Sequence, residues 1–378
     1  MGRGDPSVSA YEVGYWTRPS PWSPRSWSRK VWIWVGTGIV VVVAAVVGAV
    51  VGVRLAKGGG GSYPNYSRLN YTLIDTYSGT SFFDKFNYFH DYDPTFGFVH
   101  YVDPDYAATY NLTYASPSTA IVRVDTSVGP DSDPNASTGR FSVRLESKAQ
   151  YGPGLFLFDV KHTPYGCGTW PALWLTDTSN WPTNGEIDLL ESVNLASSGR
   201  PTIALHTTSG CSMDDVRREM SGSVEGGHVD CYNGTDNNAG CAVSGPPATY
   251  GAEFNERGGG VVALEWRVEG VRVWGFPRGR GGDGKGVTAV PPPEGGMLDP
   301  SSWGLPVADF PGTKCDVAGH FRNQSIVVNI DLCGVLTEAL WEGSGCGSVS
   351  CHYFVANRPA EFKNAFWEFG AFQVYKAL

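Results

Sequence analysis

Charge is scarce in this sequence: Asp, Glu, Lys and Arg make up only 17% of its 378 residues, with a net charge of −9 at neutral pH. The one basic cluster precedes the first apolar run, so no basic face remains for a phosphate backbone, and nucleic acid is not expected as a partner. Long stretches of helical periodicity are absent, and so is any internal repeat. The cysteines form no paired C-x2-C motif, which argues against zinc. No calcium motif can be read, although a site built from backbone carbonyls and one carboxylate would leave none. Nothing in the sequence asks for a cofactor or a metal. What is abundant is glycine, 49 residues, and aromatic side chains, 13% of the chain with 13 Trp. That loop-rich, aromatic-rich balance is closer to a β-sandwich than to a helical protein.

One charge-free run stands apart. Val31 to Val53 is 23 residues of mainly Val, Ala and Gly, long enough to cross a bilayer. The apolar region of a secretory signal peptide is usually only about 7–15 residues, so an uncleaved anchor is expected. Arg18, Arg25, Arg29 and Lys30 precede the span, against Arg54 and Lys57 after it, which puts the amino end on the cytoplasmic side. The expectation is a single-pass type II membrane protein with its large domain extracellular or lumenal. Asn65, Asn70, Asn111, Asn135, Asn233 and Asn323 each head an N-x-S/T sequon, and all follow the span. So do all eight cysteines, an even count that suggests disulfides but allows 105 pairings.

The organisation this implies is a disordered cytoplasmic tail over 1–30, the anchor over 31–53, a Gly-rich linker over 54–70 and one domain over 71–378. Within that domain, short apolar or alternating runs are separated by Gly, Pro, Asn and Asp. Strands are expected at Ala120–Val124, Phe141–Glu146, Leu155–Val160, Ala172–Leu175, Gly185–Ser192 and Thr202–His206. Further strands fall at Val261–Val268, Val271–Phe276, Ser325–Asn329 and Trp367–Tyr375, with Glu269-Gly270 as a hairpin turn. Many short strands spaced by turns argue for a sandwich. Two long segments, Cys211 to Asn255 and Arg278 to Asp316, lack strand pattern; the first reads as a cysteine-stapled cleft wall and the second as loose surface.

The densest chemistry lies in Asn184-Gly-Glu-Ile-Asp-Leu-Leu-Glu-Ser-Val-Asn194. Unpaired ionised carboxylates are expensive away from water, so three acids among apolar residues point to a cleft where carboxylates react. On a regular strand Glu186 and Asp188 share a face and Glu191 points away. One extra residue in a bulge at Leu189-Leu190 would return Glu191 to their side. Three acids on one face suit retaining glycoside hydrolysis, in which one carboxylate attacks the sugar and another protonates the leaving oxygen from about 5–5.5 Å away.

Glu186-Ile-Asp188-Leu-Leu-Glu191 resembles the E-x-D-x-x-E signature of glycoside hydrolase family 16 in its laminarinase-like form. Gly168-Thr-Trp170-Pro-Ala-Leu-Trp174, Trp181-Pro and Ala204-Leu-His206-Thr agree with it, and the resemblance covers most of Tyr71 to Tyr375. It implies an all-β fold, a β-jelly-roll sandwich with a concave glycan-binding cleft, here preceded by one transmembrane helix. It also implies Glu186 as nucleophile, Glu191 as general acid/base and Asp188 tuning the pair. Trp170, Trp174, Trp181 and His206 would contact substrate or the acids. The expected activity is a retaining endo-β-1,3(4)-glucanase, with a β-1,3/1,4-glucan as partner. A transglycosylase on the same site and a weakly active or non-catalytic glucan-binding wall-assembly protein are the alternatives. Relatives often read C-G-D-W-A-G where this chain has Cys333-Gly-Val-Leu-Thr-Glu338, so Val335 and Leu336 imply a weakened subsite, altered specificity or low activity.

Overall fold

Strands with one apolar and one polar face are stable only when the apolar faces meet, and the runs above do so in two stacked sheets. The computed structural model describes residues 28–30, 33, 63–129, 131–132, 138–195, 199–279 and 298–378. The expected tail (1–30), span (Val31–Val53) and linker (54–70) lie outside the described residues except at 28–30, 33 and 63–70. Among the described residues, no helix is long and apolar enough to cross a membrane.

In chain order the strands are β1 (Tyr71–Tyr77), β2 (Phe86–Phe89), β3 (Val99–Tyr101), β4 (Thr113–Ala115), β5 (Ala120–Arg123) and β6 (Arg140–Ser142). There follow β7 (Arg144–Ser147), β8 (Gly154–His162), β9 (Thr169–Thr176), β10 (Glu186–Glu191), β11 (Thr202–His206) and β12 (Ser223–Val224). The last are β13 (Cys241–Ser244), β14 (Gly260–Arg267), β15 (Gly270–Pro277), β16 (Ala308–Pro311), β17 (Ser325–Leu332) and β18 (Phe366–Ala377). One sheet runs β16-β15-β14-β8-β18-β5-β4, with β1 also paired to β18. The other, which carries the three acids, runs β12-β13-β11-β10-β9-β17-β7-β2. β3 and β6 form a short parallel pair.

Between the sheets lies one core. Leu173, Leu175, Ile187, Ile203, Leu205, Ile326, Val328 and Ile330 face inward from the acidic sheet. They meet Phe156, Phe158, Leu264, Trp266, Phe369 and Phe372 from its partner. The outer face of that partner sheet carries a second apolar cluster, in which Trp274, Leu157 and Tyr375 are covered by Tyr71 and Leu298.

Several boundaries differ from expectation, each for a local reason. The run Phe141–Glu146 is broken at Val143, because Arg140–Ser142 pair in parallel with β3 while Arg144–Ser147 pair antiparallel with β2 and β17. The β14–β15 hairpin turns at Val268-Glu269, one residue early, since Arg267 pairs with Gly270. Only glycine fits at 270, where a Cβ would lie 2.1 Å from Tyr66 Oη and 2.8 Å from the Phe310 carbonyl oxygen.

Residues 63–70 are no free linker. Asp309 is a buried carboxylate that requires donors, and it receives the hydroxyls of Tyr63 (3.0 Å) and Tyr66 (3.3 Å), while Arg272 lies over the Tyr66 ring. The two patternless segments also contain strands: β12 and β13 in the first, β16 in the described part of the second. The eight cysteines pair as Cys167–Cys346, Cys211–Cys315, Cys231–Cys241 and Cys333–Cys351.

Arg140 is fully buried, and its guanidinium binds Asp125 Oδ2 at 3.1 Å and the carbonyls of Val128 and Val355. Arg140→Ala takes the cation from the buried Asp125 carboxylate, which keeps only the Ser127 and Val128 donors, and takes the side-chain donor from those two carbonyls. We expect a loss of about 3–5 kcal/mol, read as a lower midpoint in urea unfolding at pH 7.

Candidate active site

Two alternating faces of one sheet do different work. On the face turned away from the core, β10 presents Glu186, Asp188 and Glu191, β9 presents Trp170, Ala172 and Trp174, and β17 presents Asn329 and Asp331. A two-residue period alone would bury Glu191. Asp188 pairs with Trp174 but Leu190 pairs with Leu173, so Leu189 is an extra residue on β10. Against β11 the same step appears, with Asp188 opposite Ala204 and Glu191 opposite Thr202. Leu189 and Leu190 both bury their side chains in the core, and Glu191 returns to the face of Glu186 and Asp188.

Each acid has its own support. The Trp181 indole N–H donates to Glu186 Oε2, and the Trp170 indole N–H donates to Glu191 Oε1 at 2.7 Å. Trp174 donates instead to Asn329 Oδ1 at 2.9 Å, which fixes its ring beside Asp188's row. Nε2 of His206 lies 3.1 Å from Asp188 Oδ2, an ion-pair contact rather than an aligned hydrogen bond. The other ring nitrogen faces Asn238 Oδ1 at 3.0 Å, so Nδ1 carries a proton and donates. All seven sequence-predicted residues are thus gathered on this face or its rim, and all three indoles make polar contacts there instead of serving only as packing.

Burial dominates the electrostatics. It raises the Glu191 carboxyl above the usual range, with the Trp170 donor working against it and the Glu186 charge adding to it. Asp188 is driven up by burial and then by the charge of Glu186. For His206 burial works downward, but Asp188, Glu186 and Glu191 overcome it and push the imidazole up to about 10. His206 and Asp188 therefore keep one proton between them through neutral pH, leaving a group beside Glu186 that can donate a hydrogen bond. Glu186, Asp188 and His206 could each offer an atom within 4.8 Å of the others. Of these, Nε2 of His206 faces Asp188 Oδ2, and Glu186 Oε2 accepts from Trp181.

Sequence reading passed over several supports. Asn238 sits in the segment stapled by Cys231–Cys241, where Asp236, Asn237 and Asn238 all take left-handed backbone, a conformation Asp and Asn tolerate best among side-chain-bearing residues. That run of polar residues was the available signal. Asn329 and Asp331 continue the alternation of the Ser325–Asn329 run, so extending its period would have found the second. Asp331 is fully buried, and burial and Asp93 push its carboxyl up to about 8. It is wedged where a Cβ on Gly334 would come within 2.2 Å of it and 2.8 Å of the Trp170 ring. The Val335–Leu336 departure therefore begins next to Trp170, with Val335 exposed and its N–H donated to the Thr95 carbonyl.

Comparison with known proteins converges on one family. A profile described as "XgeA-like, catalytic GH16 domain" matches residues 86–375. An endo-1,3(4)-beta-glucanase of Arthroderma benhamiae is 36% identical over 325 residues, covering 84% of this chain and 67% of the relative. Among solved structures, laminarinase 16A of Phanerochaete chrysosporium, holding 6-O-glucosyl-laminaritriose in donor and acceptor sites, superposes with a TM-score of 0.72 at 37% identity. It covers 81% of this chain and all of that one. An elongating family 16 β-1,3-glucosyltransferase superposes with a TM-score of 0.69 at 35% identity and the same coverage.

The approach to β10 depends on Gly185, whose φ is +73° and whose added Cβ would lie 2.5 Å from the His320 carbonyl oxygen. Gly185→Ala should cost roughly 1–3 kcal/mol, whereas Gly152→Ala, with nothing within 4 Å of its Cβ, should leave the urea midpoint unchanged. Equal midpoints for the two variants would contradict this account.

Proposed function

The chain belongs to glycoside hydrolase family 16, and on that premise we propose that it is a retaining endo-β-1,3(4)-glucanase acting on cell-wall β-glucan by double displacement. The observation that carries this reading is the bulged strand, with Glu186, Asp188 and Glu191 on one face and an indole donor to each outer acid. Glu186 attacks the anomeric carbon as the glycosidic C–O bond breaks, and Glu191 gives its proton to the departing oxygen. Water then attacks the glycosyl–Glu186 ester, Glu191 takes back a proton, and the anomeric configuration is retained.

The electrostatics fit that division. Glu191 must hold a proton near neutral pH, and burial raises its carboxyl as required. His206, pushed up to about 10 and facing Asp188 at 3.1 Å, holds a proton among the acids and so limits the like-charge repulsion of three clustered carboxylates. Trp174 and Trp181 offer rigid faces for pyranose C–H groups, at little entropic cost.

Transfer to a sugar acceptor is the second reading. It uses the same acids and is favoured by the likeness to the elongating glucosyltransferase. The two differ only in whether an acceptor or water reaches the glycosyl-enzyme first.

We further propose a type II membrane anchor through Val31 to Val53, with the domain extracellular or lumenal. Its support is the length of the charge-free run, the cationic flank before it, the sequons after it and four disulfides, which persist in oxidising compartments. Such an anchor suits local wall remodelling. An active domain released into the medium would count against it.

The protein and its Glu186→Gln variant should be incubated with laminarin, lichenan and a β-1,6-glucan, and the products sized over time. Shortened products from laminarin or lichenan, falling on the order of a thousandfold or more in the variant, are expected. Chain lengthening would establish transfer. A wild type that binds glucan but cleaves none of the three would overturn the enzymatic reading in favour of a binding protein and implicate Val335 and Leu336.

A second measurement reads the proton on Glu191. Trp170→Phe removes a hydrogen bond that lowers its pKa, so the folded carboxyl should titrate higher. Because the acid form is the reactive one in the first displacement, the alkaline limb of kcat/KM should move to higher pH. A shift to lower pH would mean that Glu191 is not the proton donor.

A further inference from the structure

Beyond β11 the face of the acids continues to the edge of its sheet, and a fourth carboxylate stands on it. Two rows of paired residues cross this side. Glu191 lies opposite Thr202, Thr202 opposite Ser244, and Ser244 opposite Ser223 on the edge strand β12. Asp188 lies opposite Ala204, and Ala204 opposite Ala242. Glu225 follows β12 two residues after Ser223, and its backbone N–H donates to the Ala242 carbonyl at 3.0 Å. The two-residue period therefore puts Glu225 on the same face as the acids.

Glu225 is held in that place. Its carbonyl accepts from the His228 N–H at 2.9 Å, across a turn at Gly226 and Gly227 that takes left-handed backbone twice. From there its half-buried side chain reaches back past β13 to β11, where Oε2 accepts the hydroxyl of Thr202 at 2.8 Å. Thr202 is the residue directly across from Glu191, and side chains so paired have Cβ atoms about 4.5–5.5 Å apart. A threonine hydroxyl carries a single proton. Given to Glu225, that proton is not offered to Glu191, which accepts instead from Trp170.

We propose that Glu225 is a positioning residue for the proton of the general acid/base: it draws the Thr202 hydroxyl away from Glu191 and adds a fourth negative charge to the face. Both effects act in one direction, because a donated hydrogen bond favours an ionised carboxylate and a nearby like charge opposes it. Burial is the largest cause of the raised Glu191 carboxyl; Trp170 and His206 work against it, and the charges of Glu186 and then Glu225 add to it. Asp188, on the same strand, is coupled by charge to Glu191, and the buried Tyr250 facing it stays neutral. Glu225 thus offsets part of what the indole and the imidazole take away. The inference rests on the glucanase reading above, in which Glu191 is the proton donor, and names what keeps the proton there.

The test is the pH profile of kcat/KM on laminarin for the full chain and its Glu225→Gln, Glu225→Ala and Glu253→Gln variants. Gln keeps an amide oxygen for Thr202 but loses the charge, whereas Ala loses both. The alkaline limb should move to lower pH in Glu225→Gln and further in Glu225→Ala. At the pH where the wild type is half-maximal on that limb, the loss should be about twofold or more. Glu253, an exposed carboxylate paired with Arg257, should leave the limb where it is when changed. A limb that stays in place in Glu225→Gln, a shift to higher pH, or a loss equal at every pH, as a purely structural hydrogen bond would give, overturns the role of Glu225 while the glucanase reading stands. A limb that moves no further in Glu225→Ala than in Glu225→Gln overturns the part assigned to Thr202. A wild type inert on laminarin sinks the glucanase reading first, and this role with it.

Discussion

Everything at the cleft depends on one register step. A strand in a two-sheet sandwich must send alternate side chains into the core, and that period would assign Glu191 to the same side as Ile187. The extra residue at Leu189 breaks the period once, between two positions that must both face out. The step is tolerated because Leu189 and Leu190 are both apolar and both buried, so the core absorbs the additional side chain. A charged residue at either position would set bulge and core in conflict. The hexapeptide's composition is therefore as much a packing requirement as a chemical one.

Gathering three carboxylates creates a second constraint. Desolvation and mutual repulsion both oppose ionisation, so the cluster holds together only by retaining protons or receiving hydrogen bonds. Both solutions are present. Glu186 and Glu191 receive indole N–H groups, donors that bring no charge, while Asp188 shares a proton with His206. His206 can serve because Asn238 accepts from its other nitrogen, and Gly240 is needed beside it, where a Cβ would approach the ring to 2.8 Å. The asymmetry between Glu186 and Glu191 needed for two distinct roles thus comes from their neighbours, the residues being chemically identical.

How much of this was legible follows from range in sequence. The strands that carry the site, β9, β10 and β11, were readable because their alternation is strong, and the bulge because three acids in six positions allow few other geometries. Asn238 was not. It acts through a partner more than thirty residues away, and no local pattern specifies which strands will be neighbours. The same limit explains the 63–70 segment. Glycines just upstream suggest freedom, but Tyr63 and Tyr66 are held by Asp309, a residue whose need for donors appears only once β16 is in place. Short edge elements such as β2 and β4 escaped notice because too few residues alternate to register a period.

Hydrogen-bonded ladders fix the acids, but the groups that tune them sit on loops, and loops have no ladder. The disulfides answer that difference. Cys231–Cys241 closes a short loop around Asn238, and Cys211–Cys315 ties the start of the same segment to a distant one, at a separation of 104 residues. At the Trp170 side, Cys333–Cys351 and Cys167–Cys346 flank Gly168, where a Cβ would lie 3.5 Å from the Cys351 sulfur. Cross-links between residues far apart in sequence remove more freedom from the unfolded chain than short ones do, yet both kinds occur here. The two short bridges gain least by that measure, and they lie closest to groups that touch the site: Asn238 on one side, Gly334 and Trp170 on the other. Their placement is better explained by the need to hold a supporting residue in one geometry than by stability of the whole domain.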